Sequence, residues 1–116
     1  MKEIKAYIRT CCLDQTVKSL HDNGAPGVAI VSVHPVGYDF GTRFRLREQD
    51  ISKKYFDISK IELVCDDEDM EKFTDIILDS AHTGATGDGL IFVSDINVAI
   101  KIRTHKRSEK ISLLFD

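Results

Sequence analysis

The sequence has few of the features that mark secreted, membrane or nucleic-acid-binding proteins. Its three cysteines are odd in number and Cys11 lies next to Cys12, which argues against a disulfide framework and favours a reducing compartment. No run of about 18 apolar residues offers a membrane span, and residues 1–5 lack the apolar stretch of a signal peptide. We therefore expect a protein of the cytoplasm, without direct membrane insertion.

An excess of basic residues is also missing. Sixteen lysines and arginines stand against 19 aspartates and glutamates, for a formal net charge of −3. Domains that bind nucleic acid usually carry a basic surface, so we expect no nucleic-acid partner. What the sequence does have is the composition of one globular domain over residues 1–116, with 42% hydrophobic and 30% charged residues.

The hydrophobic pattern predicts an α+β fold. Alternating or β-branched runs predict strands at residues 2–9, 28–34, 58–65 and 90–94. Helical spacing predicts one helix from Leu13 to Asn23-Gly24, and another from the carboxylates of residues 66–69 to about His82. This βαββαβ order is that of a ferredoxin-like sandwich, with two helices on one face of an antiparallel sheet. Residues 98–103 are expected to be extended, and residues 104–116 to form a polar C-terminal tail.

The loop of residues 36–57, between the second and third predicted strands, shows no periodicity. Loops of about twenty residues are rare in compact domains and are usually functional. Its five basic and four acidic side chains nearly balance, so they form either a solvated surface or a face that docks on a partner protein.

The sheet face that no helix covers would be largely apolar. Strand alternation places on it Tyr7, Ala29, Val31, Val33, Val64 and Phe92. An apolar patch of this extent is too large to leave in water. We therefore expect other copies of the chain to cover it.

A glycine-rich turn at residues 83–89 is the strongest local signal for a binding site. Glycines let the backbone turn sharply and aim several N–H groups at one point, as in phosphate-binding nests. Lys101 and Arg103 are two residues apart, so in an extended segment they point the same way and could pair with that phosphate. The alternative is a plain turn followed by two solvated basic side chains.

Several segments resemble the P-II nitrogen-regulatory signal proteins. Residues 83–93 and 99–104 are similar to the family's C-terminal signatures, and residues 1–6, Leu13-Asp14 and 61–64 also match its pattern. The resemblance implies a homotrimer with nucleotide sites between neighbouring subunits, where ATP and ADP compete and 2-oxoglutarate joins ATP and Mg²⁺. It also implies that the loop of residues 36–57 is the T-loop, which docks on a regulated transporter or enzyme.

The resemblance implies a role for residues at corresponding positions. Those assigned to nucleotide binding are Gly27, Val28, Ala29, Gly37, Glu62, Val64, Gly87, Asp88, Gly89, Lys101 and Arg103. In this set, Gly27 to Ala29, Glu62 and Val64 border the adenine, Gly87 to Gly89 approach the phosphates, and Lys101 and Arg103 pair with phosphate oxygens. Glu62 is otherwise read as a solvated strand residue. The T-loop residues expected to meet a partner are Tyr38, Asp39, Phe40, Arg43, Arg45, Arg47 and Tyr55.

Four positions depart from the family's pattern. Leu90 stands where a basic phosphate contact is usual, which would lower ATP affinity or shift the preference towards ADP or AMP. Asp39 replaces a glutamine and would repel an anionic 2-oxoacid unless a metal bridges them. Ile58 replaces a lysine, and Ile51 replaces the tyrosine that is uridylylated, so that modification cannot occur there.

Two further readings compete with a nucleotide sensor. A metal- or redox-linked trimer resembling CutA-type proteins would use Cys11, Cys12 and Cys65, whose thiols could lie near each other because the first and third strands are neighbours in this sandwich, or His34. Buried cysteines acting as small hydrophobic residues are the alternative. An enzyme is disfavoured, because no spacing places a nucleophile beside a base or two carboxylates together.

Overall fold

A computed structural model describes residues 1–36 and 58–115. Four strands form its main sheet: β1 (Lys2–Arg9), β2 (Ala29–Ser32), β3 (Ile58–Cys65) and β4 (Ile91–Asp95). Two helices, α1 (Leu13–Asp22) and α2 (Met70–Ala81), connect β1 to β2 and β3 to β4. The predicted strands and helices are confirmed. Strand β2 covers Ala29–Ser32 and is shorter than the predicted residues 28–34.

The sheet is antiparallel with strand order β2-β3-β1-β4. In the central pair, β1 and β3, Lys2 lies opposite Cys65 and Arg9 lies opposite Ile58, so the two strands are paired over their whole length. This order with two crossover helices is the ferredoxin-like arrangement, and the predicted fold class is confirmed.

The core lies between the helices and one face of the sheet. Alternation along β1 buries Ile4, Ala6 and Ile8, and β3 adds Ile61, Leu63 and Cys65 from the neighbouring strand. Helix α2 contributes Phe73 and Ile77, which are almost fully buried in the same cluster. Burial of each such large side chain stabilises the fold by about 1.5–3 kcal/mol.

The opposite sheet face, which we call the open face, carries the predicted apolar residues among charged ones. The strand register places Lys60 between Tyr7 and Val31, and Lys5 between Glu62 and Phe92. The Tyr7 and Phe92 rings meet edge to face at 6.0 Å. Ion pairs cross the same face from Lys60 to Glu62 at 2.8 Å and from Lys5 to Glu3 at 3.4 Å. The open face is therefore an aromatic and aliphatic surface divided by ion pairs.

The C-terminal region folds into a hairpin, so the prediction of an extended segment at residues 98–103 was wrong beyond Ile100. Strand β5 (Ala99–Ile100) pairs with β6 (Arg107–Ser108). The Lys101 N–H donates to the Lys106 carbonyl, and the His105 N–H donates to the Lys101 carbonyl, both at 2.8 Å. These bonds reverse the chain, and His105 adopts a left-handed φ of 60° in the reversal.

No helix in the described parts of the chain, residues 1–36 and 58–115, is long and apolar enough to cross a membrane.

Candidate functional site

The glycine-rich turn of residues 83–89 lies between α2 and β4 and is shaped by its glycines. Gly84, Gly87 and Gly89 all have left-handed φ values, between 86° and 106°. At Gly89 an added Cβ atom would lie 1.9 Å from the Tyr7 carbonyl oxygen. The Tyr7 N–H donates to the Leu90 carbonyl at 2.9 Å, which holds the end of the turn against β1. Only glycine therefore fits where the turn approaches β1.

The Asp88 carboxylate organises the turn from inside. It accepts hydrogen bonds from the Thr83 hydroxyl, from the Thr83 N–H at 2.9 Å and from the Gly84 N–H at 2.9 Å. These bonds, led by the one from the Thr83 hydroxyl, hold the pKa of Asp88 well below its usual range. The side chain of Asp88 therefore fixes the conformation of the backbone that was predicted to meet a phosphate.

Arg9, at the end of β1, also holds the turn and was missed by sequence reasoning. Its Nε lies 3.2 Å from an Asp88 carboxylate oxygen, and its Nη2 donates to the Thr86 carbonyl at 2.6 Å. No local spacing links residue 9 to residues 86–88. The signal available was the predicted ferredoxin-like class, in whose sheet β1 and β4 are neighbours. We call residues 83–89 together with Arg9 the turn site.

Lys101 and Arg103 lie at the other end of the sheet. The Ile96 N–H donates to the Met1 carbonyl, and the Ile111 N–H donates to Asp66 at 2.7 Å, so the hairpin region adjoins the start of β1 and the end of β3. The turn site instead adjoins Tyr7 and Arg9. Eight residues of strand, roughly 20 Å, separate the two ends. One chain does not bring these basic residues to its own glycine turn.

The residues predicted to border the adenine lie on β2 and β3 or just before β2. Ala29 is paired with Glu62, and Val64 lies one residue before the end of β3. The carboxylate of Glu62 lies 2.8 Å from Lys60 Nζ, and this contact lowers the pKa of Glu62. We call this second set the hairpin site: Gly27, Val28, Ala29, Glu62, Val64, Lys101 and Arg103. Gly37 and the predicted docking residues of the long loop lie outside the described residues.

The cysteines do not come together, and the expectation that they would was wrong. Because β1 and β3 are antiparallel, Cys65 lies opposite Lys2, whereas Cys12 follows the far end of β1. Cys12 and Cys65 are buried, and burial raises the pKa of Cys65 to about 11. Among residues 1–36 and 58–115, no three His, Cys, Asp or Glu side chains are grouped to hold a metal. His34 is exposed beside the open face, in a cavity shared with Tyr7 and Phe92.

Comparison with known proteins decides the family. The model of the family described as Nitrogen regulatory protein P-II matches residues 1–106. The chain belongs to the P-II family. A Nitrogen regulatory protein P-II of Porphyra purpurea is 36% identical over 105 residues, which cover 90% of this chain and 94% of that protein. Nitrogen regulatory protein P-II 2 of Methanothermobacter thermautotrophicus is 34% identical over 110 residues, 95% of this chain and 96% of its own length.

A third relative, the Nitrogen regulatory protein P-II of Nostoc punctiforme, is 32% identical over 108 residues, which cover 93% of this chain and 96% of that protein. The resemblance inferred from the sequence is thus confirmed for this P-II chain, as is its assignment to regulation and signal transduction. The CutA-like alternative is not supported, either by the family match or by the positions of the cysteines.

Proposed function

We propose that this P-II chain is a non-enzymatic sensor that binds adenine nucleotides between neighbouring copies and regulates a partner protein through its T-loop. The observation that carries the proposal is the separation of the turn site from Lys101 and Arg103 by the length of β1. A nucleotide that needs both sets of residues must take one from each of two copies. A homotrimer supplies three such pairings in a closed ring.

The turn site has the chemistry of a phosphate cradle. Its backbone is held in one conformation by Asp88 and Arg9, and left-handed glycines bring the chain close to any bound group. A preorganised loop binds an anion without the cost of ordering itself first. Gly87, Asp88 and Gly89 are the residues we assign to the phosphates from this side.

The hairpin site would supply positive charge and the adenine pocket from the neighbouring copy. Arg103 is exposed on the hairpin turn, where its guanidinium can form paired hydrogen bonds to phosphate oxygens. Lys101 adds a second cation from the same hairpin. Residues 27–29, Glu62 and Val64 would border the adenine.

The substitutions within the sites determine which nucleotide is favoured. Leu90 is 39% exposed beside Gly89 and offers no charge to a terminal phosphate. We therefore propose that ADP or AMP binds at least as well as ATP, with Mg²⁺ accompanying ATP. Asp39 argues against 2-oxoglutarate as a co-ligand, because its carboxylate repels an anion. Partner regulation is assigned to Tyr38, Asp39, Phe40, Arg43, Arg45, Arg47 and Tyr55 of the T-loop.

Calorimetric titration with ATP, ADP and AMP tests the proposal. Arg103→Ala is expected to weaken adenine-nucleotide binding by about tenfold or more, since a charged hydrogen-bond donor to phosphate is lost. Arg107→Ala removes an exposed arginine of the same hairpin from outside the hairpin site and should bind normally. Failure of all three nucleotides to bind at millimolar concentration would refute the proposal.

A mixing experiment tests whether the site is shared. Arg103→Ala disables the hairpin site and Asp88→Asn disables the turn site, so each variant alone should bind poorly. After the two are unfolded and refolded together, about one quarter of the interfaces of a ring would pair two intact halves. Recovery of that fraction of nucleotide sites supports a shared site, whereas no recovery with mixed oligomers present contradicts it.

A further inference from the structure

The last described residues, up to Phe115, fold back onto the hairpin and bind its lysines. Lys101 Nζ donates to the Leu114 carbonyl at 3.0 Å, and Lys106 Nζ donates to the Leu113 carbonyl at 2.9 Å. The Ile111 N–H donates to the Asp66 carboxylate at 2.7 Å, and the Leu114 side chain is buried. Residues 109–115, which we call the tail segment, are therefore anchored at two successive carbonyls, at the Ile111 N–H and at one buried side chain.

These contacts satisfy the lysines with acceptors that a phosphate could replace. The accepting carbonyls end the single helical turn Ile111–Leu113, where unpaired carbonyl oxygens attract cations. A phosphate oxygen carries full negative charge and forms a stronger, charge-assisted bond to the same ammonium group. Lys101 is thus required both by the tail segment and by the nucleotide assigned to the hairpin site.

We propose that the tail segment is an internal competitor of the nucleotide for Lys101. This inference rests on the proposed function, because it takes Lys101 as a phosphate ligand. When the tail is docked, the Lys101 ammonium points to the Leu114 carbonyl, and nucleotide binding must displace it. By thermodynamic linkage, a bound nucleotide releases the tail as much as the docked tail weakens nucleotide binding.

Lys106→Met separates competition from simple electrostatics. This change removes a cation from the hairpin, so charge alone predicts weaker binding of the anionic nucleotide. It also removes one of the two lysine bonds that dock the tail, so competition predicts tighter binding of ATP and ADP, by about fivefold. Lys18→Met removes a lysine from α1, where it pairs with Asp22, and should leave both affinities unchanged. Equal or weaker binding by Lys106→Met would overturn the competition.

A chain that ends at Lys110 provides a second test that does not alter the hairpin lysines. It lacks both accepting carbonyls and should bind ADP more tightly than the full chain. The circular dichroism melting curve identifies a truncation that fails to fold, in which case Lys106→Met remains decisive. Unchanged ADP affinity in a folded truncated chain overturns the proposal.

Hydrogen exchange on the full chain reports the tail directly. Saturating ADP should raise amide exchange at Ile111 and Leu114, whose N–H groups bind Asp66 and the Ile111 carbonyl. Protection that stays the same while ADP binds overturns the competition but leaves the nucleotide sensor standing. Absence of ADP and ATP binding by calorimetry overturns the sensor, and this inference with it.

Discussion

Gly89 carries the tightest steric constraint described among the glycines. Its φ is +90°, and its Cα faces the Tyr7 carbonyl oxygen across the junction of the turn and β1. A side chain there would lower the stability of the fold in two ways, through strain in the left-handed backbone and through a collision with β1. Gly24, after α1, has nearly the same φ of +88° but open space where a Cβ would lie.

The pair Gly89→Ala and Gly24→Ala separates these two effects. We expect Gly24→Ala to lower the free energy of unfolding by about 1 kcal/mol, since only backbone strain is introduced. Gly89→Ala should lower it by about 3 kcal/mol or more, because β1 or the turn must also move. Urea denaturation of both variants gives the comparison. Equal losses would show that Tyr7 does not confine residue 89.

At the scale of elements, the turn site behaves as one hydrogen-bonded unit. Asp88 gathers donors from Thr83, Gly84 and Arg9, and these partners favour its charged form. A carboxylate whose pKa is lower in the folded state stabilises the protein fully above its ordinary pKa. That stabilisation is lost as the pH falls below the ordinary value and through the folded one.

Asp88→Asn should therefore destabilise the protein more at neutral pH than in acid. We expect the difference in unfolding free energy from the wild type to be constant between pH 5 and pH 7, and to shrink below about pH 4. Denaturation series at pH 7 and pH 3 measure it, with Asp79→Asn as a control for loss of an exposed carboxylate on α2. The same difference at both pH values would contradict the charged role of Asp88.

The elements also differ in how well the sequence predicts them. From Glu3 in β1 and from Ser59 in β3, buried residues alternate with half-buried ones, so local pattern alone locates these strands. The β5–β6 hairpin depends on backbone bonds between Lys101 and Lys106, which side-chain identity does not encode. The hydrogen bond from the Arg9 side chain to the Thr86 carbonyl depends on the pairing of β1 with β4, and no spacing along the sequence indicates it. The glycine-rich turn could therefore be predicted from the sequence, but its hydrogen bonds to Arg9 of β1 could not.

At the scale of the whole molecule, exposed apolar residues lie both on the open face and on the helices of the opposite face. Phe92, 45% exposed, lies on the open face against Tyr7, whereas Leu78, 54% exposed, lies on α2. Burial of the open face between copies would remove Phe92 from water and leave the helices outside. Both residues are similar enough in exposure to serve as a matched pair.

Phe92→Lys should therefore disrupt the proposed homotrimer, because an unpaired ammonium would be buried in the contact. We expect light scattering to show a mass near three chains for the wild type and for Leu78→Lys, and a smaller species for Phe92→Lys. A monomeric wild type would contradict the proposed homotrimer, and dissociation caused only by Leu78→Lys would place the contact elsewhere.

The placement of the turn site at one end of the sheet, and of Lys101 and Arg103 at the other, has a consequence for how such a sensor is measured. A ligand held by two copies is bound only as often as the copies are together, so mass action ties its apparent affinity to the protein concentration. Dilution below the subunit dissociation constant would abolish nucleotide sites without altering any residue in them. The same nucleotide, once bound, would stabilise the contact between copies. Its removal would first be observed as dissociation of the oligomer.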